Sequence, residues 1–248
     1  MSFGIEDEGI LPDRMIAALA ADGAILSENK FVPDQIQPAS LDLRLGEVAY
    51  RVRASFLPGS TTVARRIDEL KLHEISLSDG AVLETGCVYI VPLQESLALP
   101  NEISAAANPK SSTGRLDVFT RVIADETRGF DRIETGYHGP LYAEISPRTF
   151  PVLVREGSRL SQIRFRHGHA LLAAQALRDL HARERLVDSD KAMSARASRS
   201  ASTSRGWGRT GLSGIVPSAI PGSSMWKGAA VMRSSTFGSR CRRGRTRA

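Results

Sequence analysis

Leu141-Tyr142-Ala143-Glu144-Ile145-Ser146 alternates strictly. Leu141, Ala143 and Ile145 fall on one face of a strand, and Tyr142, Glu144 and Ser146 on the other. Just upstream, Gly136-Tyr137-His138-Gly139-Pro140 carries the signals of a turn. Further back, Pro109-Lys110-Ser111-Ser112-Thr113-Gly114-Arg115 sets two hydroxyls, a small-residue turn and two cations within seven residues. That composition suits a phosphate-cradling loop, which needs backbone N–H groups and hydroxyls as donors beside fixed positive charge. A glutamate on a polar strand face near such a loop can act as a general base, or can be an ordinary solvated side chain. The local pattern leaves both open.

The same alternation recurs along the chain. Ser40-Leu41-Asp42-Leu43-Arg44-Leu45-Gly46 predicts a strand with its three leucines inward. A strand at Val48–Val52 and further short strands at Ala81–Leu83, Cys87–Pro92, Ile103–Ala107, Leu116–Ile123, Pro151–Val154 and Leu160–Phe165 are separated by Gly, Pro and Ser signals. Short, evenly punctuated strands imply a mainly β sandwich or barrel. A short N-terminal helix is expected at Leu11–Ala21, with Pro12 in its first turn, Met15, Ile16 and Leu19 at helical spacing, and Gly23 past its end. Phe31–Pro38 reads as a Pro-punctuated loop. His169–Arg185 reads as a helical connector with Leu172, Ala176 and Leu180 on one stripe. The expected organisation is a β-domain over 1–168, a connector over 169–190 and a tail over 191–248.

Charge divides the chain at the same place. All 27 acidic residues lie at or before Asp190, and 12 of the 33 basic residues lie beyond it. The body therefore holds 21 basic groups against 27 acidic, a net of −6, and the tail carries +12. The tail has no apolar period and contains both tryptophans, Trp207 and Trp226. One reading is a basic arm that touches nucleic acid non-specifically. The other, which we prefer, is out-of-frame translation of GC-rich DNA. No apolar run approaches the roughly 18 residues of a membrane span, and the acidic N-terminus is no signal peptide. Cys87 and Cys241 form neither a disulfide framework nor a Cys-x-x-Cys pair. The expectation is a soluble cytoplasmic protein without a membrane partner.

Several chemistries lack their residues. A zinc nucleobase deaminase needs His-x-Glu with Pro-Cys-x-x-Cys, and neither occurs. His73, His138, His167, His169 and His181 form no convincing ligand pair. Nucleophile-elbow and Walker-type loops are missing too.

Five motifs in order, spanning about residues 11–167, resemble those of the dCTP deaminase/dUTPase superfamily. Gln37–Gly46 resembles its N-terminal signature, and Lys110-Ser111-Ser112-Thr113-Gly114-Arg115 its Arg-Ser-Ser-x-x-Arg loop. Ile133-Glu134-Thr135-Gly136-Tyr137-His138-Gly139 is similar to its nucleoside turn. Glu144 falls where the deaminase branch has its catalytic glutamate, and Gly157–Ile163 looks like its closing strand. The body looks like the N-terminal half of a longer, two-domain form. The resemblance implies a distorted jelly-roll β-barrel, trimers with active sites where subunits meet, and dCTP bound as its Mg²⁺ complex and deaminated at cytosine C4 without zinc. Carried onto this chain, Glu144 would be general base and acid. Arg115 and Ser111 would hold the water and the developing charge. Lys110 and Ser112 would contact phosphates, and Ala124, Glu134, Tyr137 and Gln162 would complete the substrate site. The chain departs from the pattern at Lys110 (for arginine), Glu134 (for aspartate) and Ile123 (for threonine), and carries extra residues around Asp125–Phe130. Two alternatives stand beside this: dUTP pyrophosphatase, whose acid would be sought at Glu134, and a non-catalytic nucleotide-binding β-domain.

Overall fold

The computed structural model describes residues 8–168 and 173–186. The tail over 191–248, with both tryptophans and Cys241, lies outside them, as do His169 and Leu172 of the expected connector. Residues 10–167 belong to one compact unit, and the described residues on either side belong to another.

In chain order the elements begin with β1 (Gly9–Ile10), α1 (Asp13–Ala21), β2 (Ile25–Ser27), β3 (Ile36–Gln37), β4 (Ser40–Arg44), β5 (Val48–Val52) and α2 (Val63–Leu70). They continue with β6 (Lys71–Ser76), β7 (Ala81–Leu83), β8 (Val88–Ala98), β9 (Ile103–Pro109), α3 (Ser111–Arg115) and β10 (Val118–Ala124). The last are β11 (Arg132–Ile133), β12 (His138–Pro147), β13 (Val152–Val154), β14 (Arg159–His167) and α4 (Ala174–Glu184). The architecture is mainly β and antiparallel, as the alternating segments predict. One sheet runs β11-β9-β14-β4-β3 and the other β10-β12-β8-β5-β6, with β2 added to β8. β10 lies against β9 and β14, and a bridge from Leu45 to Leu93 joins β4 to β8. The core takes Leu41, Leu43, Ile163 and Phe165 from the first sheet and Val91, Val122, Ala143 and Ile145 from the second.

α1 buries Ile16 and Leu19, and its N-cap is Pro12, one residue outside the first turn rather than in it. Gly23 follows with φ +76°, the left-handed conformation expected of a glycine past a helix end. α4 lies inside the predicted connector, but no residue of it is buried, and Ala176 of the expected stripe is exposed.

Two findings go beyond the reading of the sequence. All five residues of β4 are buried, so Asp42 and Arg44 face protein rather than water. Strict alternation implies one wet face only when nothing covers it. Here Glu95 of β8 and the cations at the start of α3 and β14 cover it. The second lies in the 53–70 stretch, to which the sequence reading assigned no element and where α2 forms with Thr62 as N-cap, its hydroxyl accepting from Arg65 N at 3.3 Å. α2 points Val63 and Ile67 onto the outer face of the second sheet, where they join Val52, Phe56, Ile90, Ile123 and Tyr142 in a second small core. That covered outer face holds Glu144.

Candidate functional site

Glu144 sits in the middle of β12, opposite Arg121 on β10 and Ile90 on β8. Side chains directly across an antiparallel pair share a face, so the carboxylate and guanidinium project together from the face that carries the small outer core. Glu144 is 1% exposed. Arg121 Nε and Nη2 both donate to its Oε1, at 3.1 and 2.5 Å. Its Oε2 is buried and has no hydrogen-bond partner among the described residues. A buried carboxylate oxygen without a donor is costly and rare. The solvated reading left open by the local pattern is therefore overturned.

The surroundings of this pair add a second carboxylate. Asp131 accepts from Val122 N at 2.7 Å while its own N–H donates to Val122 O at 2.8 Å. Burial pushes its carboxyl up to about 6; the bond from Val122 and the charge of Arg121 oppose the rise, and Glu144 adds to it.

Three further groups of expected site residues lie along the same strand. At the near end, α3 precedes Val118. Its Thr113 is fully buried and bonds Leu160 O at 3.0 Å, and Lys110 N reaches the same carbonyl at 2.9 Å. These anchors leave Ser111, Ser112 and Arg115 exposed. Lys110 Nζ is ion-paired with Asp42, whose other neighbour is Arg159 Nη1 at 3.5 Å. Gln162, in register with Asp42, accepts from Ser40 Oγ at 3.2 Å. At the far end, buried Ala124, exposed Glu134 and half-buried Tyr137 line one cleft of about 390 Å³. The Tyr137 hydroxyl accepts from Asp125 N at 3.0 Å and donates to Pro140 O at 2.7 Å, and burial pushes it up to about 12. The turn folds so tightly that a Cβ on Gly139 would lie 2.6 Å from that hydroxyl. Glu134 pairs with Arg132 at 2.8 Å.

Thus α3, the Glu144 pair and the cleft mark the start, middle and end of a strand roughly 20 Å long. Within one chain the structure joins Lys110 with Gln162 around Asp42, and Ala124 with Glu134 and Tyr137. Among the described residues, no hydrogen bond or ion pair links Ser111, Ser112 or Arg115 to Glu144. Arg121, Ser55, Phe130 and Asp131 are the residues that the sequence reading missed. The opposition of Arg121 and Glu144 exists only once the β10–β12 register is known. For α2 the signal was present: Thr62 followed by Val63, Ile67 and Leu70 is a cap before a helical stripe.

Residues 7–169 match the family model described as the 2'-deoxycytidine 5'-triphosphate deaminase (DCD) N-terminal domain. A dCTP deaminase of Haloarcula marismortui is 30% identical over 163 residues, covering 63% of this chain and 79% of the relative. A dUMP-forming dCTP deaminase of Bifidobacterium adolescentis is 32% identical over 158 residues, with 63% and 78% covered. The crystal structure of 2'-deoxycytidine 5'-triphosphate deaminase from Agrobacterium tumefaciens superposes with a TM-score of 0.69 at 64% identity, covering 74% of this chain. The chain spans 55% of that protein's length.

Proposed function

The chain belongs to the 2'-deoxycytidine 5'-triphosphate deaminase N-terminal domain family, and from that premise we propose that it hydrolyses dCTP to dUTP and ammonia. The observation that carries the reading is the buried Oε2 of Glu144, unpartnered while Oε1 is held by Arg121. A proton acceptor must be within hydrogen-bond reach of the water it activates, and a free lone pair on a fixed carboxylate supplies that. In this reading Glu144 Oε2 takes a proton as the water oxygen bonds to cytosine C4. The tetrahedral intermediate collapses when that proton passes to the exocyclic nitrogen, which leaves as ammonia. The water's second proton moves to N3, its oxygen stays on C4 as the carbonyl, and the product is dUTP.

Ser111 and Arg115 would hold the water and the oxyanion, and Ser112 and Lys110 the phosphates, with Gln162 beside them. Ala124, Glu134 and Tyr137 would receive the nucleoside. Because α3 and Glu144 are apart in one chain, the reading has α3 of one subunit complete the site of the next, in the homotrimer that the resemblance implies. The described residues gather no three His, Cys, Asp or Glu side chains that could hold a metal. In this reading Mg²⁺ would come with the triphosphate and would shield phosphate charge there. Among the described residues no helix is long and apolar enough to cross a membrane.

The test uses the purified full chain with Mg²⁺ and either dCTP or dUTP, following ammonia and pyrophosphate. Ammonia from dCTP that disappears in Glu144→Gln is the expected result. Pyrophosphate from dUTP without ammonia from dCTP would move the assignment to a pyrophosphatase, and silence with both would leave a nucleotide-binding domain.

A further inference from the structure

An arginine fork facing a carboxylate ordinarily places two N–H groups on two oxygens. Arg121 does not: both of its donors fall on Oε1 of Glu144. The cause lies above the guanidinium. The Arg121 guanidinium carbon is 3.5 Å from the centre of the Phe130 ring and 4.7 Å from that of Phe119. Its Nη2 also donates to Ser55 Oγ at 2.9 Å. Stacking fixes the plane of the guanidinium and the serine fixes its rotation in that plane.

Phe130 is itself held independently of Arg121. Its segment bonds to the stretch before α2 at three points. Asp125 Oδ1 accepts from Val63 N at 2.7 Å, Glu126 N donates to Thr61 O at 3.1 Å, and Thr127 O accepts from Gly59 N at 3.1 Å. At its other end Asp131, with φ +60°, is clamped to Val122 in both directions. The ring is also packed against the small outer core that includes Ile123 and Tyr142.

We propose that Phe130 is a positioning residue for the deamination: its ring keeps Arg121 on Oε1 so that Oε2 of Glu144 stays available to the water. The extra residues around Asp125–Phe130 then serve the site rather than lengthening a loop. The inference rests on the function proposed above, and its test separates the two. Phe130→Leu keeps apolar volume and removes the ring face, Phe130→Tyr keeps the face, and Phe130→Met stands in for leucine if that variant does not fold. Against dCTP, kcat should fall about tenfold in the aliphatic variant with KM little changed, and the tyrosine variant should retain it. By NMR, the Arg121 Nε–H proton should be protected from exchange in the parent and tyrosine chains and lose that protection in the aliphatic one. Equal kcat in parent and aliphatic variants, or an equal loss with tyrosine, overturns the proposal. If the parent releases no ammonia, the deaminase reading fails, and unchanged Arg121 protection in the aliphatic variant overturns the positioning role by itself.

Discussion

Two arginine–glutamate pairs with buried carboxylates stand in this domain, and they are built in opposite ways. Glu95 is fully buried, and both its oxygens are taken. Oε1 accepts from Arg44 Nε at 2.8 Å and Gln35 Nε2 at 2.7 Å, and Oε2 from Arg44 N at 2.8 Å. The rest of Arg44 is equally occupied, by Lys30 O, Asn29 O and Ser27 Oγ. Glu144 is as deeply buried, but one oxygen carries two donors and the other has none among the described residues. Desolvating a charge is repaid only when its hydrogen bonds are complete. The first pair meets that condition and stitches β4 to β8. The second leaves one carboxylate oxygen without a partner among the described residues, as Asp42 Oδ1 also is, and a buried oxygen of that kind calls for a water, a ligand or a catalytic role.

The largest contrast should come from the carboxylates. Glu144→Gln should lower ammonia release from dCTP by on the order of a thousandfold while the urea midpoint moves little. A midpoint shift as large as that of a core variant would make Glu144 structural. Glu95→Ala should do the reverse. It strands Arg44 in the interior and should cost about 3–5 kcal/mol by urea unfolding, with activity per folded molecule retained at low denaturant.

Asp131 tests the electrostatics beside the second pair. Its carboxyl is raised to about 6 by burial, so between about pH 4 and 6 the folded chain holds a proton that the unfolded chain has released. Stability from this group is therefore present at the acid end and lost as pH rises towards about 6. Asp131→Asn keeps an acceptor for Val122 N and should be more stable than the parent above that pH by about 1 kcal/mol, discounted for partial exposure. At pH 4 the two should coincide, and parallel stability curves across the range would refute the assignment. The smallest effect belongs to Thr62→Ala, which removes the cap of α2 at about 0.5–1 kcal/mol. Thermal melting should show a drop in midpoint of a few degrees at most, smaller than that of Glu95→Ala.

The local pieces of the candidate site were legible because each is contiguous in the chain. The Lys110–Arg115 loop and the Gly136–Gly139 turn announce themselves by residue type, and each forms a local unit in the structure. The face shared by Tyr142 and Glu144 follows from a period of two and is observed. Burial of that face was not legible, since it depends on α2 and on Phe130, residues 12 or more positions from Glu144 in the chain. Asp42 and Arg44 misled for the same reason: charged residues at alternating positions read as solvent-facing until their partners on other strands are known.

By itself, then, the sequence determined the elements whose information is periodic or local. These are the alternating strands, the helix at Asp13–Ala21 and the cationic loop. Tertiary structure alone decided which charges meet. Arg44 finds Glu95, Lys110 finds Asp42 and Arg121 finds Glu144. Each pairing is set by strand register and sheet order, and each depends on covering segments that exclude water. Coulombic and hydrogen-bond energies depend on separation and burial rather than on position along the chain, so no local pattern encodes them.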